Sequence, residues 1–470
     1  MQVLSSGDAI TLLLAALVVL PLALAICIKL PQFVALGFVA ILFLFSSSTW
    51  GQIDAENTLY SRGTGLFYFS LLNLLLWLAA ASLLIRQLSS GSTHHPGSPF
   101  PLFLFAFIFM LFAHSVLGLM AGIDLLQILS YSGIINVINM LVFCSLLTWA
   151  LQDQQGQRRL LLLMLGLAAV RAVYGMVRYL WLGGDSANPY RNFESLDITL
   201  FYFDIADNFV AAIAAFCIAW LLLMPTVKLS LLKRVILLGL LALEIAAVAL
   251  SFRRSSLIGL VLMTTVLLWQ LPWRSRLQLL LAGSGVLVVT ASVFLRERLQ
   301  FNSNNGSFLA SLFYDIGVNR ATEVSRFYEL EAAAQSLQGY WLFGLGSWGT
   351  FYGNEDILDY HFGKFDFVHS GFGHLILKSG LAGLALFLAL LAACALRYVR
   401  FRPRLAGNAA LTADAGIAGL LFWLPTLLIG TPIIEFRTML LIGLCLALPY
   451  LACVTSAERM TTPGRLYVAA

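Results

Sequence analysis

The sequence predicts an all-α polytopic membrane protein, and three observations carry that prediction. Of its 470 residues 60% are hydrophobic and only 11% charged, where a soluble domain carries about a quarter charged residues. The mean hydropathy is +0.89. The apolar runs last about 20 residues, the length of a spanning helix, and do not alternate over about 10 residues as the strands of a membrane barrel do.

About thirteen runs qualify as spans, near 9–28, 32–47, 66–85, 101–122, 131–151, 160–182, 205–224, 235–251, 257–271, 279–295, 372–396, 410–430 and 437–455. The count is 12–13 because the second, eighth and ninth runs are short. The first run lacks a basic n-region before it and reads as a first span, not as a cleaved signal peptide. Basic residues follow the odd-numbered spans: Lys29, Arg86, Arg158 and Arg159, Lys233 and Arg234, Arg274 and Arg276, and Arg397 to Arg404. The positive-inside rule makes those loops cytoplasmic. Residues 48–65, 123–130, 183–204, 252–256, 296–371 and 431–436 are then the outer loops. The chain reads as one membrane domain over 1–470, with 296–371 as its large extramembrane loop. The six cysteines fall in or beside apolar runs without CxxC spacing and read as small buried residues.

Inside the large loop, 326–338 has helical spacing, and Gly344, Gly346 and Gly349 mark a tight turn. Long loops of this kind tend to be binding elements, which puts the functional face outside.

Ionisable residues near lipid are costly and are candidate site residues. Arg171 and Arg178 share a face of the sixth span. Arg171 sits at mid-membrane, and Glu244 in the eighth span is a carboxylate available to it; a structural pair and a substrate role are both open. Arg253 and Arg254 in "SFRRSSLIGL" occupy a very short outer turn, either as interfacial anchors or as guanidinium forks for phosphate oxygens. Arg326 opens the helical piece of the large loop, ahead of a glycine turn whose free N–H groups suit an anion. The acidic stretch "GNEDILDYHFG" is either solvated charge or a cation site. Walker-type, HExxH, GxSxG and DxD motifs are absent from the sequence. That argues against nucleotide-driven chemistry, and no cofactor, structural metal or nucleic-acid partner is expected.

The stretch "FDFVHSGFGHLILKSGLAGLALFL" places His369 at the lip of a span, with His374 and Lys378 one and two turns further in. A histidine titrating near neutrality suits a general base on a hydroxyl. His374 and Lys378 are supporting positions, as neighbours of the site or facing phosphate.

The pattern His369, Phe372, Gly380, Leu381, Gly383 resembles the end of the core domain in the O-antigen ligase and polymerase superfamily of bacterial membrane glycosyltransferases. "SFRRSSLIGL" is similar to that family's Ser/Arg-rich turn. "RFYELEAAAQSLQGYWLFGLGSWGTF" is similar to its R-x(n)-[PW]-x-x-G-x-G-x-F segment, at Arg326, Gly344, Gly346 and Phe351. All three occur in family order over 251–388. Ser370 stands where an asparagine is usual, and Lys378 where an acidic or amide residue is common.

The resemblance implies a GT-C-like, metal-independent inverting transferase in the bacterial cytoplasmic (inner) membrane, active at its periplasmic face. Its implied donor is a glycan on undecaprenyl pyrophosphate. The implied roles are Arg253 or Arg254 and Arg326 on the pyrophosphate, His369 on the acceptor, and Arg191 in a supporting place. Implied partners are membrane lipid and polysaccharide assembly proteins such as a flippase or chain-length regulator. Length and the large loop favour a polymerase of O-antigen or exopolysaccharide repeat units; a ligase to lipid A–core is the alternative. A transporter or flippase working through Arg171 and Glu244, and an assembly scaffold, are the readings from other classes.

Overall fold

Hydrocarbon offers a backbone no hydrogen-bond partners, so a spanning segment has to satisfy its own N–H and C=O groups. Helices therefore form wherever the apolar runs fall within the described residues. The computed structural model describes residues 21–46, 59–60, 69–90, 100–186, 199–224, 229–281, 283, 285, 324–353 and 364–461. In chain order these include α1 (Pro21–Lys29), α2 (Pro31–Leu44), α3 (Leu71–Ser90), α4 (Pro101–Met120), the single turn α5 (Leu125–Ile128), α6 (Ile135–Ala150) and α7 (Gln154–Trp181). There follow α8 (Ile205–Leu223), α9 (Leu231–Ala249), α10 (Arg254–Gln270), α11 (Val324–Ser336), β1 (Phe351–Tyr352), β2 (Lys364–Phe365), α12 (Gly371–Phe401), α13 (Gly407–Leu428) and α14 (Phe436–Thr461).

Among the described residues α4, α7, α8, α12, α13 and α14 are long and apolar enough to cross a membrane. The pair α1 and α2, bent by 103°, makes a seventh if it is one span. Pro31 at the start of α2 cannot continue the ladder of α1, which accounts for the break. Helices α3, α6 and α10 are shorter and apolar. The expected spans at 9–28 and 279–295 lie largely outside the described residues. Several helices start earlier than their apolar runs because capped polar turns precede them. Asp153 accepts from Gly156 N to open α7, and Ser230 accepts from Lys233 N to open α9.

Helices α8 and α14 are the most enclosed; α13 packs between α10 and α14, and α14 lies against α6. Small residues permit the close approaches. A Cβ at Gly443 would lie 2.6 Å from the Met140 carbonyl, and one at Gly259 would lie 2.7 Å from that of Phe422. Membrane helices associate through such contacts because lipid gives no hydrophobic drive between them.

Two buried polar clusters mark the two ends of the bundle. At one end Asp414 of α13 accepts from Arg402, from Tyr398 Oη and from Trp220 Nε1, the latter two at 2.8 Å. That ties together the ends of α8, α12 and α13. At the other, Arg437 of α14 reaches Asp207 at 2.7 Å and Asp204 at 2.9 Å, and donates to the Leu42 carbonyl of α2. Arg171 of α7 shares Asp207 and donates to the Leu44 carbonyl.

On that second end sits the described part of the large loop. Helix α11 spans Val324–Ser336, close to the expected 326–338. β1 and β2 pair antiparallel, Phe351 opposite Phe365. Ala332, Ala333, Leu337, Phe351, Val368 and Leu377 form a small core of their own, separate from the main one. It fastens α11 and the hairpin to the first two turns of α12.

Candidate active site

Helix α12 carries the histidine stretch, and its geometry begins with a break. Gly380 has φ +64° and ψ −168°, a conformation essentially reserved for glycine, in the middle of an otherwise continuous helix. A break inside a membrane helix strands backbone groups, and here the glycine turn of the large loop meets them. Leu381 N donates to the Trp341 carbonyl at 2.8 Å and Ala382 N to that of Leu342 at 3.0 Å; Leu345 N donates to the Leu377 carbonyl at 2.8 Å. Gly344 and Gly346 have φ +73° and +87°. A Cβ on Gly344 would lie 2.6 Å from the backbone nitrogens of Ser379 and Gly380. The G-x-G turn and the G-L-x-G helix thus form one interlocked backbone unit, and Phe351 is buried in the small core beneath it.

Lys378 strengthens the same lock. It is fully buried, and its Nζ donates to the Gly349 carbonyl at 2.7 Å. Of the two places expected for it, neighbour of the site or facing phosphate, its bond to the loop backbone favours the first. His374 is also buried, against the backbone of Ser132 and Gly133.

Ser370 caps α12, its Oγ accepting from Gly373 N at 3.1 Å. Serine and asparagine are both strong N-caps, so this departure from the usual asparagine keeps the structural duty of the position. Immediately before the cap, His369 Nδ1 lies 3.1 Å from both carboxylate oxygens of Glu329 on α11, and His369 N donates to Glu329 Oε2 at 3.2 Å. Glu329 is buried, whereas the imidazole is 34% exposed. Phe367 packs edge-on against the ring. In the tautomer whose Nδ1–H points to the carboxylate, Nε2 is the nitrogen that keeps its lone pair for another group. A partly exposed imidazole held by a buried carboxylate is an arrangement suited to taking a proton from a hydroxyl.

Residues 237–388 match the family model Wzy_C, described as O-antigen ligase. This segment is similar to the O-antigen ligase family. The match supports the O-antigen ligase and polymerase superfamily for the chain, and with the apolar helices it indicates a multi-pass membrane protein engaged in glycan processing. No curated protein matches the chain. The matched segment begins within α9 and ends within α12, so it holds the Ser/Arg-rich turn, the pair of Glu329 and His369, and the interlocked glycines.

Within the matched segment, Arg253 is the N-cap of α10, with its guanidinium 4.6 Å from the Phe203 ring centroid. Arg254 opens the helix proper. The turn before them is tight: Phe252 is the one non-glycine residue with positive φ, +51°, among the described residues. It is docked on the 199–204 segment, where Phe201 N donates to the Leu250 carbonyl and Tyr202 N to Ser251 Oγ. Arg253 also interacts with Glu435. Burial first, and then the Asp204 carboxylate, push Glu435 up to about 7, and Thr438, Arg253 and Arg437 oppose that. The 430–435 turn links this corner to the dyad, since Gly371, two residues after His369, packs on Pro432 and Leu427.

Arg326 belongs to α11, one turn before Glu329; its side chain lies outside the described residues, as do Arg191 and the acidic stretch 354–361. The expected partnership of Arg171 and Glu244 is corrected. Arg171 binds Asp207 at 2.5 Å, and both oxygens of Glu244 are buried without a hydrogen-bond partner among the described residues. Asp207 wins because it sits in the first turn of α8, where it also neutralises Arg437. Arg178 does not snorkel outward but pairs with Asp185 at 2.9 Å and donates to the Phe201 carbonyl.

Sequence reasoning missed Glu329, and with it the carboxylates and the arginine of the buried network, Asp204, Asp207 and Arg437. A signal for Glu329 existed: Ala333 and Leu337 lie four and eight residues on, so the carboxylate shares their apolar face of α11.

Proposed function

We propose that this protein transfers a glycan from undecaprenyl pyrophosphate to a sugar hydroxyl at the periplasmic face of the bacterial inner membrane, polymerising repeat units into O-antigen or exopolysaccharide. The observation that carries the reading is the dyad of Glu329 and His369, mounted where two motifs of the matched segment interlock. The acceptor hydroxyl oxygen attacks the anomeric carbon, the carbon–oxygen bond to pyrophosphate breaks with inversion, and the hydroxyl proton passes to His369 Nε2. The imidazolium that forms is stabilised by the Glu329 carboxylate. Undecaprenyl pyrophosphate leaves as an anion, with Arg253 or Arg254 and Arg326 assigned to neutralise it. No metal is assigned a step. A flippase that delivers the donor and a chain-length regulator are the protein partners this role calls for.

Transfer to lipid A–core is the second reading, favoured by the description of the matching family. Complementation of a strain lacking the gene with His369→Ala separates the outcomes. Long glycan made by a well-expressed His369→Ala protein would sink the catalytic role. Loss of long glycan with single repeat units left on the lipid carrier supports the polymerase; polymer retained on the carrier and missing from lipid A–core supports the ligase.

A further inference from the structure

A cavity that the proposed proton transfer does not use has Asp366, three residues before His369, in its lining. Its volume is about 330 Å³, at the small end of the range of ligand sites, about 300–1,000 Å³. It is lined by Asp124, Gln127, Ser130 and Ser132 from the α4–α6 connection, by Trp348 from the glycine turn, and by Asp366, three residues before His369. We propose that this cavity binds a sugar ring of the glycan, which rests on the transfer reading above and adds a carbohydrate subsite to it.

The walls are built for the purpose. Trp348 is fixed on its inner side: His114 of α4 packs edge-on at 6.2 Å between centroids, and a Cβ at Gly118 would come within 2.9 Å of the indole. The indole stays half-buried, leaving aromatic surface to the cavity. Opposite it, the connection is held rigid. Asp124 caps α5, accepting from Leu126 N at 3.1 Å; Ser130 Oγ and Ser132 Oγ are 2.7 Å apart; and Ser347 Oγ, next to the indole, donates to the Ile128 carbonyl at 2.5 Å. Asp124, Gln127 and Asp366 are exposed.

This composition discriminates among ligands. A pyranose presents an apolar C–H face and a rim of hydroxyls that donate and accept. An indole takes the face, and carboxylates, an amide and serine hydroxyls take the rim. With two carboxylates and no cation among the described lining residues, the cavity suits a sugar better than a pyrophosphate. The lining residue Asp366 lies three residues before His369 in the chain, so cavity and base share one segment.

The test uses full-length protein in nanodiscs carrying His369→Ala, so that binding is read without turnover. The probe is the repeat-unit oligosaccharide released by mild acid from the producing strain's own surface glycan, observed by saturation-transfer NMR. Binding is expected with His369→Ala alone, about ten-fold weaker when Trp348→Ala is added, largely kept with Trp348→Phe, and weakened by Gln127→Ala. Inorganic pyrophosphate is expected not to compete. Equal binding by the Trp348→Ala and Gln127→Ala proteins, competition by pyrophosphate, or binding that requires a divalent cation would overturn the proposal. The two readings fail separately: turnover by His369→Ala removes the catalytic base and leaves the subsite standing, whereas unchanged binding by Trp348→Ala removes the subsite alone.

Discussion

His369 and Glu329 meet at 3.1 Å across 40 residues of chain, one just before the cap of a membrane helix and the other on a loop helix. The small core of Ala333, Leu337, Phe351 and Leu377 holds those two helices together, and the contact fixes the direction of the imidazole. Glu329→Gln keeps the shape but removes the charge that stabilises the imidazolium. Turnover is expected to fall about 10–100-fold at unchanged protein level, measured as glycan transfer by membranes normalised to protein. Wild-type turnover would make the contact merely structural.

The break at Gly380 is the mechanical joint of the site. Gly380→Ala forces a Cβ against the Leu342 carbonyl in a backbone conformation that costs a non-glycine residue about 1–3 kcal/mol. A lower melting temperature in detergent is expected, together with faster proteolysis of the 341–349 turn. An unchanged melting curve would mean that the interlock contributes nothing to stability.

The buried charges predict opposite outcomes for two carboxylates. Asp207→Asn leaves Arg171 and Arg437 short of their shared anion, a loss of about 3–5 kcal/mol for a broken buried pair, and the protein is expected to disappear from membranes. Glu244→Leu removes a carboxyl that has no hydrogen-bond partner among the described residues, and is expected to leave expression and glycan transfer intact. A transporter that works through Glu244 predicts failure of that second variant, so the pair of immunoblots and transfer assays separates the classes.

The helices were legible in the sequence because lipid makes apolar length and helicity the same requirement, and α6, α8, α10 and α13 lie close to their expected runs. His369 was legible because it heads a span and closes a loop. Arg171's partner was not: Glu244 and Asp207 are both carboxylates in neighbouring helices, and helical rotation, which hydropathy does not encode, decides between them. Lys378 reads in the sequence as a neighbour of the site or as facing phosphate. Only the break at Gly380 and the turn at Gly344 bring the Gly349 carbonyl within its reach.

Glu435 predicts a pH dependence of stability. Its carboxyl titrates near 7 in the folded protein, above its ordinary 4.5, so folding favours the protonated form. The resulting stability is full below about pH 4.5 and is lost as pH rises through about 7. Glu435→Gln stays neutral throughout. Its melting temperature is expected to equal that of the wild type near pH 5 and to exceed it near pH 8; parallel curves at both values would contradict the assignment.

The most direct test of the central claim is a single-turnover assay with purified protein in nanodiscs and a lipid-linked glycan donor. Release of undecaprenyl pyrophosphate and formation of the new glycosidic bond are followed together. The account predicts equimolar formation of both products by the wild type. It predicts a fall of about 100-fold or more for His369→Ala with donor binding unchanged. Undiminished release and bond formation by the His369→Ala protein would contradict it.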